Sequence, residues 1–284
     1  MAQQWQRSPE QVREHYEIEK ALAARLRGAG ADERKHLYST LYDELCRRVA
    51  HHPQLTRNPE EGRHLVQRQL GMLSRFLGKD TTYLEVGPGD CVLTCAVARR
   101  VRKSIGVDVC AGFTSSERRP DNFELILSDG TSIPVPPGSV DVAYSNQLME
   151  HLHPDDARVQ LINLNRALRR GGVYVCVTPN RLTGPHDVSR DFDPVATGFH
   201  LREYTNAELI ELFEACGFGP IRIYSTFRGH SLRVPRRPLL ALEHWLLRQP
   251  PERARALLRG PILRKLLDNC RLVAVKSAEV AGTA

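Results

Sequence analysis

From Thr82 onward, short β-rich runs alternate with helical stretches, and this alternation restricts the fold more than any other property of the chain. The runs cover residues 83–86, 104–107, 123–127, 140–145, 172–177, 221–227 and 271–276, seven candidate strands. Helical patterns at 92–100, 155–169 and 206–216 lie between them, and Gly171, Gly172 and Gly217 stop the last two. Parallel neighbours need a crossover, usually a helix. The pattern therefore predicts an α/β fold, a doubly wound, mostly parallel sheet with helices on both faces. With 284 residues and 41% hydrophobic content, the chain can bury the core such a sheet needs.

Three amphipathic helical patterns come first, at 9–27, 32–50 and 60–77. Ser8-Pro9-Glu10 opens the first as a cap followed by proline at the first helical position, and Asp32 is the expected cap of the second. Residues 228–268 carry five prolines between the last two candidate strands and read as short helices. The expected organisation is an N-terminal helical lid at 1–80, a core at 81–227 plus 270–277, a helical insertion at 228–269 and a tail at 278–284.

Charge is concentrated in that insertion. Residues 228–265 hold ten basic side chains against Glu243 and Glu252; this +8 exceeds the formal +7 of the whole chain and leaves the remainder at −1. A chain-wide nucleic-acid footprint is absent, so nucleic acid is not an expected partner. The insertion reads as a cap whose Leu239, Leu242, Trp245 and Leu246 pack on the domain. Its arginines around Trp245 also suit an anionic partner or a membrane surface. Seven scattered cysteines read as reduced core residues. Cys91-x3-Cys95 lacks a second pair at ligand spacing, so no metal is expected. No apolar run approaches the roughly 20 residues of a membrane span. The first 25 residues lack the apolar centre of a secretory signal, and a cytoplasmic location is expected.

The most informative segment is Glu85-Val86-Gly87-Pro88-Gly89, where a strand bearing an acid turns through two glycines into a helix. Glycines there let a ligand approach backbone amides. Asp108 ends the second candidate strand, where a carboxylate can accept from both hydroxyls of a ribose. Asp129 ends the third and can accept from an exocyclic adenine amine. Each acid alone is equally a cap or turn residue. Together they line the crevice at the carboxyl ends of three successive strands.

In these segments the chain resembles the class I, seven-stranded, Rossmann-like S-adenosylmethionine-dependent methyltransferases, and more narrowly the small-molecule branch of the methyltransferase domain 11 type. The resemblance runs from about 82 to 227 and resumes at 271–276. It implies that Glu85, Gly87 and Gly89 form the first cofactor motif and that Asp108 is the ribose acid. It implies that Ser128, Asp129 and Gly130 form the adenine turn, and that Ser145, Asn146 and Gln147 face the cofactor. It also implies an antiparallel last strand beside the fifth. One departure is Cys91, which stands where the family often has a third glycine. A nicotinamide fingerprint is disfavoured by Val92 at its sixth position.

Methyl transfer asks mainly for in-line positioning and exclusion of water. Tyr38 and Tyr42, at helical i, i+4 spacing, face either the cofactor from a lid or simply their helix neighbours. His186 and His200, in the loops of 182–188 and 198–204, are the candidate catalytic residues, with Asp187 able to orient one of them. For both, the plainer reading is a loop histidine bonded to backbone. His151 resembles a family position that shapes the cofactor pocket, and His153 before Pro154 reads as a turn residue. The expected activity is transfer of a methyl group from S-adenosyl-L-methionine to a small organic acceptor. RNA or protein methylation guided by the insertion, and a non-catalytic cofactor-binding scaffold, are the alternatives.

Overall fold

The structure, a computed structural model, describes residues 7–53, 59–110, 119–227 and 230–277. Arg228 of the insertion and the 278–284 tail lie outside them. Two helices come first, α1 (Pro9–Gly28) and α2 (Ala31–Arg48), followed by α3 (Pro59–Leu73). The α/β part runs β1 (Thr82–Val86), α4 (Val92–Ala98), β2 (Lys103–Asp108), β3 (Phe123–Leu127), β4 (Val140–Asn146), α5 (Pro154–Ala167), β5 (Leu168–Pro179) and α6 (Asn206–Ala215). It closes with β6 (Phe218–Phe227), β7 (His230–Val234), α7 (Arg236–Leu247), α8 (Pro251–Leu258), α9 (Pro261–Leu267) and β8 (Asn269–Lys276).

One sheet holds eight strands in the order β3-β2-β1-β4-β5-β8-β6-β7. Pairings among β3, β2, β1, β4 and β5 are parallel, and β8 runs antiparallel between β5 and β6. The sequence predicts seven strands; the eighth, β7, lies within the insertion that reads as helical. It pairs antiparallel with β6 from Ile223↔Val234 to Phe227↔His230. A five-residue edge strand before a proline, in an arginine-rich stretch, carries almost no periodic signal. Strand order reverses between β1 and β4, so the turns after β1, β2, β3 and β4 share the carboxyl edge on both sides of the switch point.

Both faces of the sheet are covered. Leu70 and Leu73 of α3 and Leu93 and Val97 of α4 pack with Tyr83, Val142 and Tyr144 on one face. Leu22, Leu26, Leu41, Leu45 and helices α5 and α6 pack with Leu84, Ala143 and Tyr174 on the other. The alternation Tyr83 down, Leu84 up is the period of two expected of a strand buried on both sides.

The N-terminal layer is locked rather than loosely laid on. Ser8 and Gln11 form a reciprocal capping box at α1. Gly30, not Asp32, caps α2; Asp32 lies in its first turn. Arg34 of α2 makes two bonds of 2.6 Å to the carboxylate of Asp156 in α5, and both side chains are buried. In the insertion, Leu239 and Leu246 are buried and Leu242 packs on the core as expected, but Trp245 is 44% exposed. Glu243 fixes that helix by accepting from Asn180 Nδ2 and Asn206 Nδ2, both at 2.8 Å.

Candidate active site

The glycine turn after β1 is built as the sequence suggests. Gly87 and Gly89 both have positive φ, 67° and 56°, a region that favours glycine. A Cβ on Gly87 would meet Leu148 Cδ1 at 2.9 Å, whereas nothing lies within 4 Å of one on Gly89. The turn is therefore closed beneath Gly87 and open above Gly89. Cys91 also has a left-handed backbone, φ 59°, where the family's third glycine is often found.

Asp108 is tied to this turn. Its Oδ2 accepts from the Gly89 amide at 3.1 Å, and its Oδ1 from the amides of Val109 at 2.7 Å and Cys110 at 3.2 Å. Burial raises its pKa, and these three amides work against that shift. Oδ2 keeps a lone pair for a further donor. Asp129 caps its own turn, accepting from the amides and hydroxyls of Thr131 and Ser132. Burial acts to raise its pKa, but those bonds outweigh it and the net shift is downward. Ser128 Oγ donates to Ser132 O, and Gly130 is covered by the ring of Tyr38.

Glu85 behaves differently. It shares the Tyr83 side of β1, by the same period of two, and that side faces α4. Its Oε2 accepts from Thr94 Oγ1 at 2.6 Å and from Tyr83 OH at 3.3 Å. Burial pushes its pKa up to about 8, which favours the protonated form of this inward-turned acid. Ser145 is buried on Tyr174 OH at 2.6 Å, Asn146 ends β4, and Gln147, at φ 54°, donates to Asn269 Oδ1.

The two tyrosines part company. Tyr38 OH donates to Asp156 Oδ2 at 2.8 Å and accepts from the His153 amide at 2.9 Å, which places it in the lock between α2 and α5. Tyr42 reaches the crevice, where its ring stacks on Phe199 at 4.9 Å and meets His151 edge-on at 5.8 Å. It feels the charges of Glu19, Glu150 and Asp108, which links the nucleoside side to the next group of residues.

That group is the wall formed by His151, Phe199 and His200. His200 Nδ1 lies 2.7 Å from Glu203 Oε1, and its ring meets His151 at 4.9 Å between centroids. Burial lowers the pKa of His200, but the bond to Glu203 and the charge of Glu150 outweigh it, and the net shift is upward. His151, partly buried against His200 with Nδ1 on Phe199 O at 3.0 Å, has its pKa pushed down to about 3 by desolvation. Glu150 is fully buried, accepts from Thr178 Oγ1 at 2.8 Å, and is pushed up to about 7 by burial. His186 is absent from this wall: its Nε2 lies on Thr183 Oγ1 at 3.0 Å and Asn180 O at 3.2 Å. Asp187 orients neither histidine. It caps the turn at Ser189 and accepts from the Gly198 amide, and Glu203 takes the orienting role instead.

Sequence reasoning passes over Glu19, Arg27 and Glu203, and places Glu150 only within the segment that resembles the family's fourth-strand motif. Glu19 Oε1 accepts from the Phe199 amide, and Arg27 donates to the carbonyls of Thr197, Gly198 and His200. Only the His200-x-x-Glu203 spacing left a local signal.

An open glycine turn, an acid at the end of the neighbouring strand and a switch point beside them define a doubly wound nucleoside-binding core. Residues 84–176 match the model of the methyltransferase domain family. A probable S-adenosylmethionine-dependent methyltransferase of Mycolicibacterium smegmatis is 34% identical over 159 residues, 56% of this chain and 59% of that protein. One of Mycobacterium tuberculosis is 32% identical over 151 residues, 53% of each. The chain thus spans between half and two thirds of the curated relatives it matches. Among solved structures, Haemonchus contortus phosphoethanolamine N-methyltransferase 1 superposes with a TM-score of 0.58 at 14% identity, covering 90% of this chain and 52% of that one. An S-adenosylmethionine-dependent methyltransferase of Archaeoglobus fulgidus gives 0.50 at 18%, covering 75% and 94%. These two share the fold. Residues 84–176 are thus similar to the methyltransferase domain, on a fold shared with solved class I, Rossmann-like methyltransferases.

Proposed function

We propose that the chain transfers the methyl group of S-adenosyl-L-methionine to a small organic acceptor. The observation that carries this is Asp108, bonded to Gly89 beneath the open side of the turn with an acceptor position to spare for a ribose hydroxyl. The cofactor supplies a methyl group on a sulfonium, already bound to a good leaving group. The chain holds the two partners in line and keeps water out. Gly89 leaves room for a close approach, and the Asp129 turn offers a carboxylate oxygen to an adenine amine. Glu85 fixes the first turn of α4 through Thr94.

Tyr42, His151, Phe199 and His200 wall the acceptor side, and α1 and α2 close over it. Phe199 is 3% and His200 8% exposed, which suits a small molecule rather than a polymer. His200 remains the candidate among the two histidines singled out by sequence, because His186 is committed to Thr183 and Asn180.

Calorimetric titration with S-adenosylmethionine tests the reading. Binding by the unaltered chain, weakened in Asp108→Asn, is expected; no heat at millimolar ligand overturns it. Cofactor binding without any labelled product from a cell extract would favour the scaffold instead. For the insertion we propose contact with an anionic surface, supported by exposed Leu232, Trp245 and Ile262 among its arginines. Co-sedimentation with phosphatidylglycerol vesicles, abolished by salt, is the expected result; equal sedimentation with neutral vesicles argues against it. Among the described residues no helix is long and apolar enough to cross a membrane.

A further inference from the structure

Glu150, His151 and His200 form a donor set that positioning an acceptor does not by itself require. One ligand atom from each lies within 4.8 Å of the other two. Glu150 Oε1 is buried without a hydrogen-bond partner among the described residues. A buried carboxylate oxygen left unpaired is uncommon and needs a reason. One of the two ligand atoms in each group is already held: Glu150 Oε2 by Thr178 Oγ1, His151 Nδ1 by the carbonyl of Phe199, and His200 Nδ1 by the carboxylate of Glu203. Fixing one imidazole nitrogen on a carbonyl or carboxylate, so that the other presents its lone pair, is how metal-binding histidines are oriented.

We propose that Glu150, His151 and His200 bind one divalent cation of the zinc class, leaving at least one coordination position for a heteroatom of the acceptor. Two imidazoles and one carboxylate suit zinc and its transition-metal neighbours, whereas magnesium and calcium prefer oxygen throughout. Three protein ligands with a vacant position is the pattern of a catalytic rather than a structural ion. The other cluster of this kind, His15, Glu19 and His52, has Arg7 Nη1 2.8 Å from His15 Nδ1, so a cation already stands there.

The inference rests on the reading of this wall as the acceptor side. An acceptor hydroxyl beside such an ion gives up its proton more readily, to a water molecule as the acceptor enters and before water is shut out. Its oxygen then bonds to the methyl carbon as the carbon–sulfur bond breaks, and the electron pair stays on sulfur to give the thioether. His200 then serves as a ligand, and the ion does the work of lowering the acceptor's proton affinity.

The test is dialysis of the full chain against cobalt(II), followed by metal content and visible absorption. One bound ion is expected, without the thiolate charge-transfer band that binding to the cysteines would give. Glu150→Gln and His200→Gln should lose the ion and keep affinity for S-adenosylmethionine. On the unaltered chain, zinc should displace cobalt and excess magnesium should not, a readout that does not depend on how the variants fold. No bound cobalt, a thiolate band, or an ion retained equally by both variants overturns the proposal. Cobalt bound at this site with no affinity for S-adenosylmethionine overturns the methyl-transfer reading and leaves the metal site standing.

Discussion

The nucleoside side of the crevice and the acceptor wall are built on opposite plans. Asp108 is satisfied by amides one, two and nineteen residues away, and Asp129 by groups two and three residues on. The wall is assembled across the chain: Glu19 and Arg27 hold the 197–200 loop, Tyr42 stacks on Phe199, and Glu150 bonds Thr178. Strand-end turns shape the first locally. The second exists only once α1 and α2 have docked.

The largest effect should come from breaking that docking. Arg34→Met strands the buried carboxylate of Asp156 and should lower unfolding free energy by about 3–5 kcal/mol in urea titrations; a loss under about 1 kcal/mol would mean that α2 is held by apolar packing alone. Next comes Glu85, whose folded pKa of about 8 lies above the unfolded value of 4.5. Because the folded state keeps the proton longer, its contribution is complete below pH 4.5 and is lost as pH rises towards 8. The melting temperature of the unaltered chain minus that of Glu85→Gln should therefore fall steadily from pH 5 to 8; a flat difference would place a charged Glu85 in the site.

Asp108→Asn removes the charge that the proposed ribose contact uses and sets an amide NH2 against a backbone N–H, so it should weaken S-adenosylmethionine binding about tenfold to a hundredfold and also lower the melting temperature, by less than Arg34→Met does. If Arg34→Met abolished cofactor binding more completely than Asp108→Asn does, the two sides would not be separable. The smallest effect is expected for Cys91→Gly, which relieves a left-handed backbone but gives up a buried side chain, for a net change within about 1 kcal/mol.

Legibility in the sequence follows the same division. Strand–helix alternation, the glycine turn and the strand-end places of Asp108 and Asp129 were readable because each depends on a local pattern; the inward turn of Glu85 was not. Period two would also have told that Glu85 sits on the Tyr83 side of its strand, facing α4, but not that α4 would offer Thr94 there. The parting of Tyr38 and Tyr42 depends on Asp156 and Phe199, more than a hundred positions distant, and no helical spacing encodes that. Sequence alone leaves Trp245 either packed on the domain or facing an anionic partner; in the structure Leu239 and Leu246, on the buried side of the same helix, fill the packing place and Trp245 is exposed. β7 was invisible because its pairing, not its composition, makes it a strand.

Arg27 draws three carbonyls of one loop onto a single guanidinium. A fragment trimmed to the matched stretch, residues 84–176, would retain Asp108, Glu150 and His151 yet leave out that clamp and the whole loop it gathers. On the proposed reading, such a trimmed piece would be a socket for the donor with nothing opposite to receive its methyl group, and chimeras meant to exchange acceptor preference would carry the opening helix along with the loop.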